Sequence, residues 1–527
     1  MDTSQKKTSL ALLLLGLIYF CTFIFTNRLG AQNLDMLAVF EIDEYAQYPY
    51  LSPMLSGGDS IKQVVRNFLV YGHYYYGYPF FFFSGLVLLP LRLILGQNWS
   101  ANCQLSMLVL RQMVNVLPNL LSALVLTTFA TRLRSFWKSI VIFSLLLITP
   151  ALVNNGFWWH PDGLGLLFVS SVFLCLLLDK MRFGKFFIFA AVCAGIAAGI
   201  KYLGLFFFLT MPVYLITGVR QKKISFKTAA LKGALFLVIM LLTVVLSNPL
   251  LLLPLERSEL VATQLRQFSR TSSGEIIGRQ SILESTWLPG WLTEQYGSLP
   301  FLLLVSTSLL YGFFKPEHRM KALLIASYIL PLSIVILSGA LQRQHYWLPV
   351  FLPMTTSLAF FLPDSLTSTN KKAGNLALLL LLSLLTVQGA IFIHTNFNRF
   401  DQMLKREQQS DSLAFYRDVK DVVIEDKRAI SVYRDWKVYF PSDQQTTVFM
   451  DWELASYTLI SERHPDFILL EQANVLLYGS DEFLASSADP QRLAPMHLFY
   501  ADALKGEVNG YQLVFTDNFG LVFQRIM

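Results

Sequence analysis

Long apolar stretches recur along the chain, and its lysines and arginines collect in the short loops between them. A bilayer core takes about 20 apolar residues to cross as a helix, so this alternation commits the chain to a polytopic membrane fold. Composition agrees: the 527 residues are 54% hydrophobic and 15% charged, against about 25% charged in soluble domains. The first run, 10–25, follows Lys6 and Lys7 and lacks a small-x-small cleavage site before Thr26-Asn27-Arg28; it reads as a retained helix rather than a leader. The net charge of +7 is explained by loops that orient membrane helices, which removes the argument for a nucleic-acid partner. Cys21, Cys103, Cys175 and Cys193 are scattered, and suggest neither a disulfide framework nor a zinc site.

The basic loops set a topology. Lys6/Lys7, Arg132/Arg134/Lys138, Lys180/Arg182/Lys185, Arg220/Lys222/Lys223/Lys227, Lys315/Arg319/Lys321 and Lys371/Lys372 are all expected on the cytoplasmic side. That holds only if the apolar, aromatic stretch Tyr78–Leu95 is not a span. It is therefore expected to lie in the outer interface or re-enter it, anchored by Tyr74, Tyr75, Tyr76, Tyr78 and Phe80 to Phe83. About eleven spans follow: 10–25, 105–130, 139–152, 164–179, 186–200, 203–219, 229–252, 299–314, 322–339, 346–362 and 374–393. The N-terminus is then cytoplasmic and the C-terminal region extracytoplasmic.

Two domains are expected: a membrane domain over 1–395, with 28–104 as its first outer loop, and a soluble extracytoplasmic α/β domain over 396–527. In the second, a polar helix over 398–420 precedes short strands near 429–433, 446–450 and 467–470. A hairpin over 513–524 turns at Asp517-Asn518-Phe519-Gly520. No internal repeat or low-complexity tract is evident.

The same topology gathers polar clusters on one face. The first outer loop holds Glu41, Asp43 and Glu44 within four positions of a chain that otherwise avoids charge. The loop 153–163 holds Trp158-Trp159-His160-Pro161-Asp162, an acid at a span's mouth with no basic residue beside it in the loop. Each has a plainer account: a loop or capping acid for Asp43, and for Asp162 an acid favoured by the helix dipole after Pro161. The second His-Pro-Asp, His464-Pro465-Asp466, falls in the soluble region and reads as coincidence.

Laid out in order, these motifs resemble the polytopic glycosyltransferases of the C superfamily (GT-C), and among them the protein O-mannosyltransferases and lipid A aminoarabinose transferases. The shared pattern is the Asp43-Glu44 pair, a Pro-led apolar helix in the same loop (Tyr78-Pro79-Phe80 onward), Asp162 in the second outer loop, and His345-Tyr346-Trp347-Leu348-Pro349 opening a late span. It covers roughly residues 10–395. The resemblance implies an enzyme that transfers a hexosyl or pentosyl group from a polyprenyl-phosphate donor to a lipid, glycan or protein acceptor at the outer membrane face, with inversion. Asp43 then acts as general base, and Asp162 is a further catalytic candidate; Glu44 is a catalytic candidate that either orients the acceptor or pairs structurally with an arginine. The donor phosphate needs outward-facing cations, and the candidates are Arg343, His345, Arg266, Arg270 and Lys201, with Arg66 and Arg279 behind them. His160, Tyr78 and Tyr346 are candidate substrate contacts. Relatives often carry Lys where Tyr78 stands. A divalent ion held by the Asp, Glu and His side chains is an open alternative, with a metal-free site favoured, and the expected location is a bacterial inner membrane. Two rivals make different demands. A lipid-diphosphate-dependent ligase or polymerase would lean on arginines of the late loop. A lipid or solute transporter would place ionisable groups midway along its spans.

Overall fold

The structure is a computed structural model; it describes residues 3–273, 290–339, 343–364, 372–424, 429–451, 454–487 and 489–526. A bundle of apolar helices carries a small sheet domain at its C-terminal end. Among the described residues, eight helices are long and apolar enough to cross a membrane. The count is nine if the bent pair Gly290–Tyr296 and Leu299–Phe314 forms one span. This count does not confirm the expected eleven. Some expected spans are shorter or broken: Phe136–Leu147 ends ahead of Pro150, Lys185–Lys201 has 17 residues, and Leu348–Thr355 passes into a tighter turn after Pro353. Tyr78–Leu95 is one of the eight by length and composition, where an interfacial helix is expected from sequence.

Leu10, Leu13, Leu14 and Leu17 on the first helix stay more than half exposed, as lipid-facing residues do. The third long helix, Cys103–Thr131, is interrupted by a π turn over Arg111–Val116. Such turns often mark functional segments, and this one aims Arg111 and Asn115 into the protein, both fully buried. The aromatic run of the first loop is more than an interfacial anchor. Tyr71, Tyr74, Tyr78, Phe80 and Phe81 are buried and pack around Trp159 as a core of their own, while Tyr75 and Phe82 stay partly exposed. One close approach fixes this loop against the bundle. Gly77 N–H donates to Ile200 O at 3.1 Å, and a Cβ on Gly77 would lie 1.5 Å from Gly199 O; only glycine fits there.

The last membrane helix does not stop near residue 395. It runs unbroken over Lys372–Lys405 and is followed by the helix Asp411–Val423. The sheet then forms close to its expected positions, with β1 Ile430–Arg434, β2 Thr446–Phe449, β3 Phe467–Glu471, β4 Tyr511–Thr516 and β5 Gly520–Arg525. Its order is β2-β1-β3-β5-β4, parallel across β2, β1 and β3, and antiparallel from β3 to β5 and β4. Buried Arg434, at the end of β1, pairs with Asp35 of the first loop at 2.8 Å. Ser442 N–H donates to the other Asp35 oxygen at 3.1 Å, and Asn33 Nδ2 to the Tyr439 hydroxyl at 3.0 Å. The sheet domain is thus clamped onto the loop that carries the acidic motif.

Candidate active site

The two neighbouring acids of the motif part company. A short helix, Ile42–Gln47, turns Glu44 inward and leaves Asp43 half-exposed. Glu44 is fully buried and both its oxygens are occupied. Arg111 Nη2 donates to Oε2 at 2.5 Å and Arg111 Nε to Oε1 at 2.8 Å, while Trp159 N–H reaches Oε1 at 2.6 Å. The remaining Arg111 nitrogen, Nη1, donates to Asn27 O and Leu29 O. A carboxylate held this way is a strut between the first loop, the third long helix and the second loop. Sequence reading passed over Arg111, although a lone guanidinium inside an apolar run is itself a signal.

Asp43 has no hydrogen-bond or ion-pair partner among the described residues. It lines a cleft of about 260 Å³ together with Glu41 and Trp158, and with Trp436 and Lys437 of the sheet domain. Trp158 forms the wall between this cleft and a second cluster: its ring stacks on His160 at 4.0 Å, with an interplanar angle of 5°, and lies 5.2 Å from His345.

Asp162 is the centre of that cluster. Lys201 Nζ is 2.7 Å from its Oδ1, while His160 Nδ1 and His345 Nε2 are 2.7 and 3.7 Å from its Oδ2. Lys201 does not snorkel to water. Its ammonium lies 4.8 Å from the Tyr346 ring centre and 5.9 Å from that of Tyr76. The Tyr76 hydroxyl and His160 Nε2 are hydrogen-bonded at 2.7 Å. Burial lowers the pKa of His160 and of His345, against the opposing pull of Asp162, so both imidazoles favour the neutral form. Burial raises that of Tyr76, and the nearby charges of Asp43 and Asp162 add to the rise.

The structure thus draws together Asp162, His160, Lys201, His345 and Tyr346, with Arg343 near enough for its charge to bear on His345 and Tyr76. Others stand apart. Tyr78 is buried among Phe68, Tyr71 and Phe82, and its N–H is held by Asn248 Oδ1 at 2.9 Å; Tyr76, two residues earlier, faces the cluster instead. Arg266 donates to Thr263 on its own helix, Pro254–Ser273, and no contact joins it to the cluster among the described residues. Arg66 is engaged by Glu256 at 2.6 Å. The side chain of Arg270, and all of Arg279, lie outside the described residues. Tyr76 and Trp158 were legible in the sequence only as members of an aromatic run and a Trp pair.

Comparison with known proteins adds a fold. The chain aligns with a crystal structure of ArnT from Cupriavidus metallidurans bound to undecaprenyl phosphate, over 98% of each chain, with a TM-score of 0.52 and 11% sequence identity. The apo form of the same protein aligns over 98% of each chain, with a TM-score of 0.50 and 13% identity. This chain has the ArnT fold. No protein-family model matches the sequence, and no curated protein does. At such identities the likeness covers architecture alone, so what the site does rests on its own residues.

Proposed function

We propose that this chain is a membrane glycosyltransferase. It moves a sugar from a polyprenyl-phosphate donor to an acceptor at the extracytoplasmic face of a bacterial inner membrane, with inversion at the sugar carbon. One observation carries the reading: Asp43, a carboxylate with no partner among the described residues, shares the wall of Trp158 with a buried pocket that holds Lys201, His160 and His345. Phosphate is a ready leaving group, so the step needs little acid help. The acceptor hydroxyl or amine must lose a proton as it attacks, and a carboxylate in reach as general base contributes typically about 10²–10⁴-fold. Asp43 takes that proton. Lys201, with Arg343 and the Tyr346 ring beside it, supplies cationic and polar groups where phosphate charge grows. Asp162 and Glu44 hold the machinery in register, Asp162 by aiming Lys201 and Glu44 by tying Trp159 to Arg111. Trp436 and Lys437 bring the sheet domain to the acceptor side of the cleft. The fold agrees, since the ArnT structure that shares it holds undecaprenyl phosphate.

The test is sugar release from a panel of radiolabelled polyprenyl-monophosphate sugars by purified protein in lipid, with wild type beside Asp43→Asn. Turnover of one donor is expected, falling about 10²–10⁴-fold in the variant while donor binding is kept. Turnover that survives Asp43→Asn moves the base elsewhere. Turnover of diphosphate-linked donors alone replaces the reading with a ligase or polymerase.

A further inference from the structure

The cluster around Asp162 has more donor atoms than its internal contacts use. His160 Nδ1, Asp162 Oδ2 and His345 Nε2 lie within 4.8 Å of one another. The first two are buried and 2.7 Å apart, matched only by each other, with no third group on either atom. All three atoms converge on one point, and each has a lone pair or proton to offer there.

The other ends of these side chains are engaged. His160 Nε2 is bonded to the Tyr76 hydroxyl, and Asp162 Oδ1 accepts from Lys201. Metal-binding histidines divide their nitrogens in this way, one toward the ion and one toward an orienting partner, and ligating carboxylates are themselves hydrogen-bonded. Two imidazoles and one carboxylate suit zinc and its neighbours rather than magnesium or calcium, which take oxygen-rich shells. Three protein ligands leave one tetrahedral position for an outside oxygen. Ligand atoms about 2.0–2.2 Å from such an ion sit roughly 3.4 Å from one another. The 3.7 Å separation of His345 from Asp162 is close to that. The 2.7 Å separation of His160 opens by a small rotation of its ring.

We propose that His160, Asp162 and His345 bind one divalent transition metal of the zinc class, with its fourth position left for an oxygen ligand. The sequence expectation is a metal-free site; the geometry points the other way. Lys201 beside Asp162 weakens the ion's hold by charge repulsion, and the same pair of cations favours an incoming phosphate. On the donor reading above, on which this last step rests, phosphate and metal bind with positive coupling, each tightening the other by the same factor.

The experiment uses the full-length protein on a histidine-free tag in lipid nanodiscs, stripped with chelator and titrated with Zn²⁺ by calorimetry. Bound zinc is counted by elemental analysis after gel filtration. About one ion per chain is expected, undisplaced by excess Mg²⁺. Tyr76→Phe, which loses only the orienting partner, should weaken zinc about 10- to 100-fold while keeping the stoichiometry. His345→Ala should weaken it at least as much, and its thermal unfolding reports whether it folds. His464→Ala, in the second His-Pro-Asp sequence, should change nothing. The metal site is overturned by substoichiometric zinc in folded wild type, or by affinity that His345→Ala and Tyr76→Phe leave intact. The two readings fail separately. Zinc bound without turnover of any polyprenyl-phosphate sugar sinks the enzyme reading and keeps the metal. Folded wild type that turns over one donor yet binds no zinc sinks the metal and keeps the enzyme.

Discussion

Two polar regions meet along the segment from Trp158 to Asp162, and they are built in opposite ways. Around Glu44 every charge is spent: each nitrogen of Arg111 donates, and both carboxylate oxygens accept. Around Asp162 donor atoms are left over. The backbone of the shared segment belongs to the first region, with Trp159 N–H on Glu44 and His160 N–H on Asn115 Oδ1. Side chains of the same segment, His160 and Asp162, belong to the second. The difference teaches that burial of a charge does not by itself mark chemistry. A saturated ion pair acts as a fixture, and an under-satisfied cluster beside it is where a ligand adds something.

The contrast breaks most visibly at Arg111. Arg111→Ala strands the Glu44 carboxylate without solvent and should lower stability by about 3–5 kcal/mol, read as a lower unfolding temperature in detergent. An Arg111→Ala protein that unfolds like wild type but loses turnover would make this region functional rather than structural. Next comes Lys201. Lys201→Met should weaken donor binding about 10- to 150-fold, the worth of a charge-assisted hydrogen bond of about 1.5–3 kcal/mol, and Lys201→Arg should recover part of it. Equal donor affinity in wild type and Lys201→Met would return Lys201 to a purely structural place beside Asp162.

The smallest effect is in pH. Glu41 borders both the strut and the cleft, and burial pushes its carboxyl up to about 7, with the Glu44 charge adding to the rise and Arg406 opposing it. An acid that stays protonated in the folded chain but ionises in the unfolded one binds more protons when folded. Stability then falls as pH climbs from about 4.5 to about 7. Glu41→Gln should flatten that part of the stability profile; a slope unchanged by the substitution removes Glu41 as its source.

Much of this was legible before any coordinates. Lysines and arginines alone placed Asp43, Asp162 and His345 on one face, and the structure brings Asp162 and His345 within 3.7 Å. The five strands fell near their expected positions, because period-two apolar runs between turn residues leave few alternatives. Other features depend on contacts far apart in sequence. Nothing local distinguishes Glu44 from Asp43; the helical turn at residues 42–47 and a partner 67 positions away decide which is buried. Tyr78 matched a family position, yet the Gly77–Gly199 contact sets the register so that Tyr76 faces Lys201. The domain boundary near 395 was drawn from composition, and a helix that changes from apolar to polar without breaking hides such a boundary.

The Glu44–Arg111 pair also ties together parts of the chain that are made at different times. A chain inserted from its amino end presents residue 44 before residue 111, and residue 159 later still. An arginine entering an apolar helix alone costs about 2.5–3.5 kcal/mol during insertion, and a carboxylate already waiting across the membrane, in the proposed orientation, offsets that cost. In the folded chain Glu44 receives the Arg111 guanidinium, and its Oε1 also receives the Trp159 N–H. The segment carrying His160 and Asp162 is thus seated on a platform built by two parts of the chain that precede it in sequence.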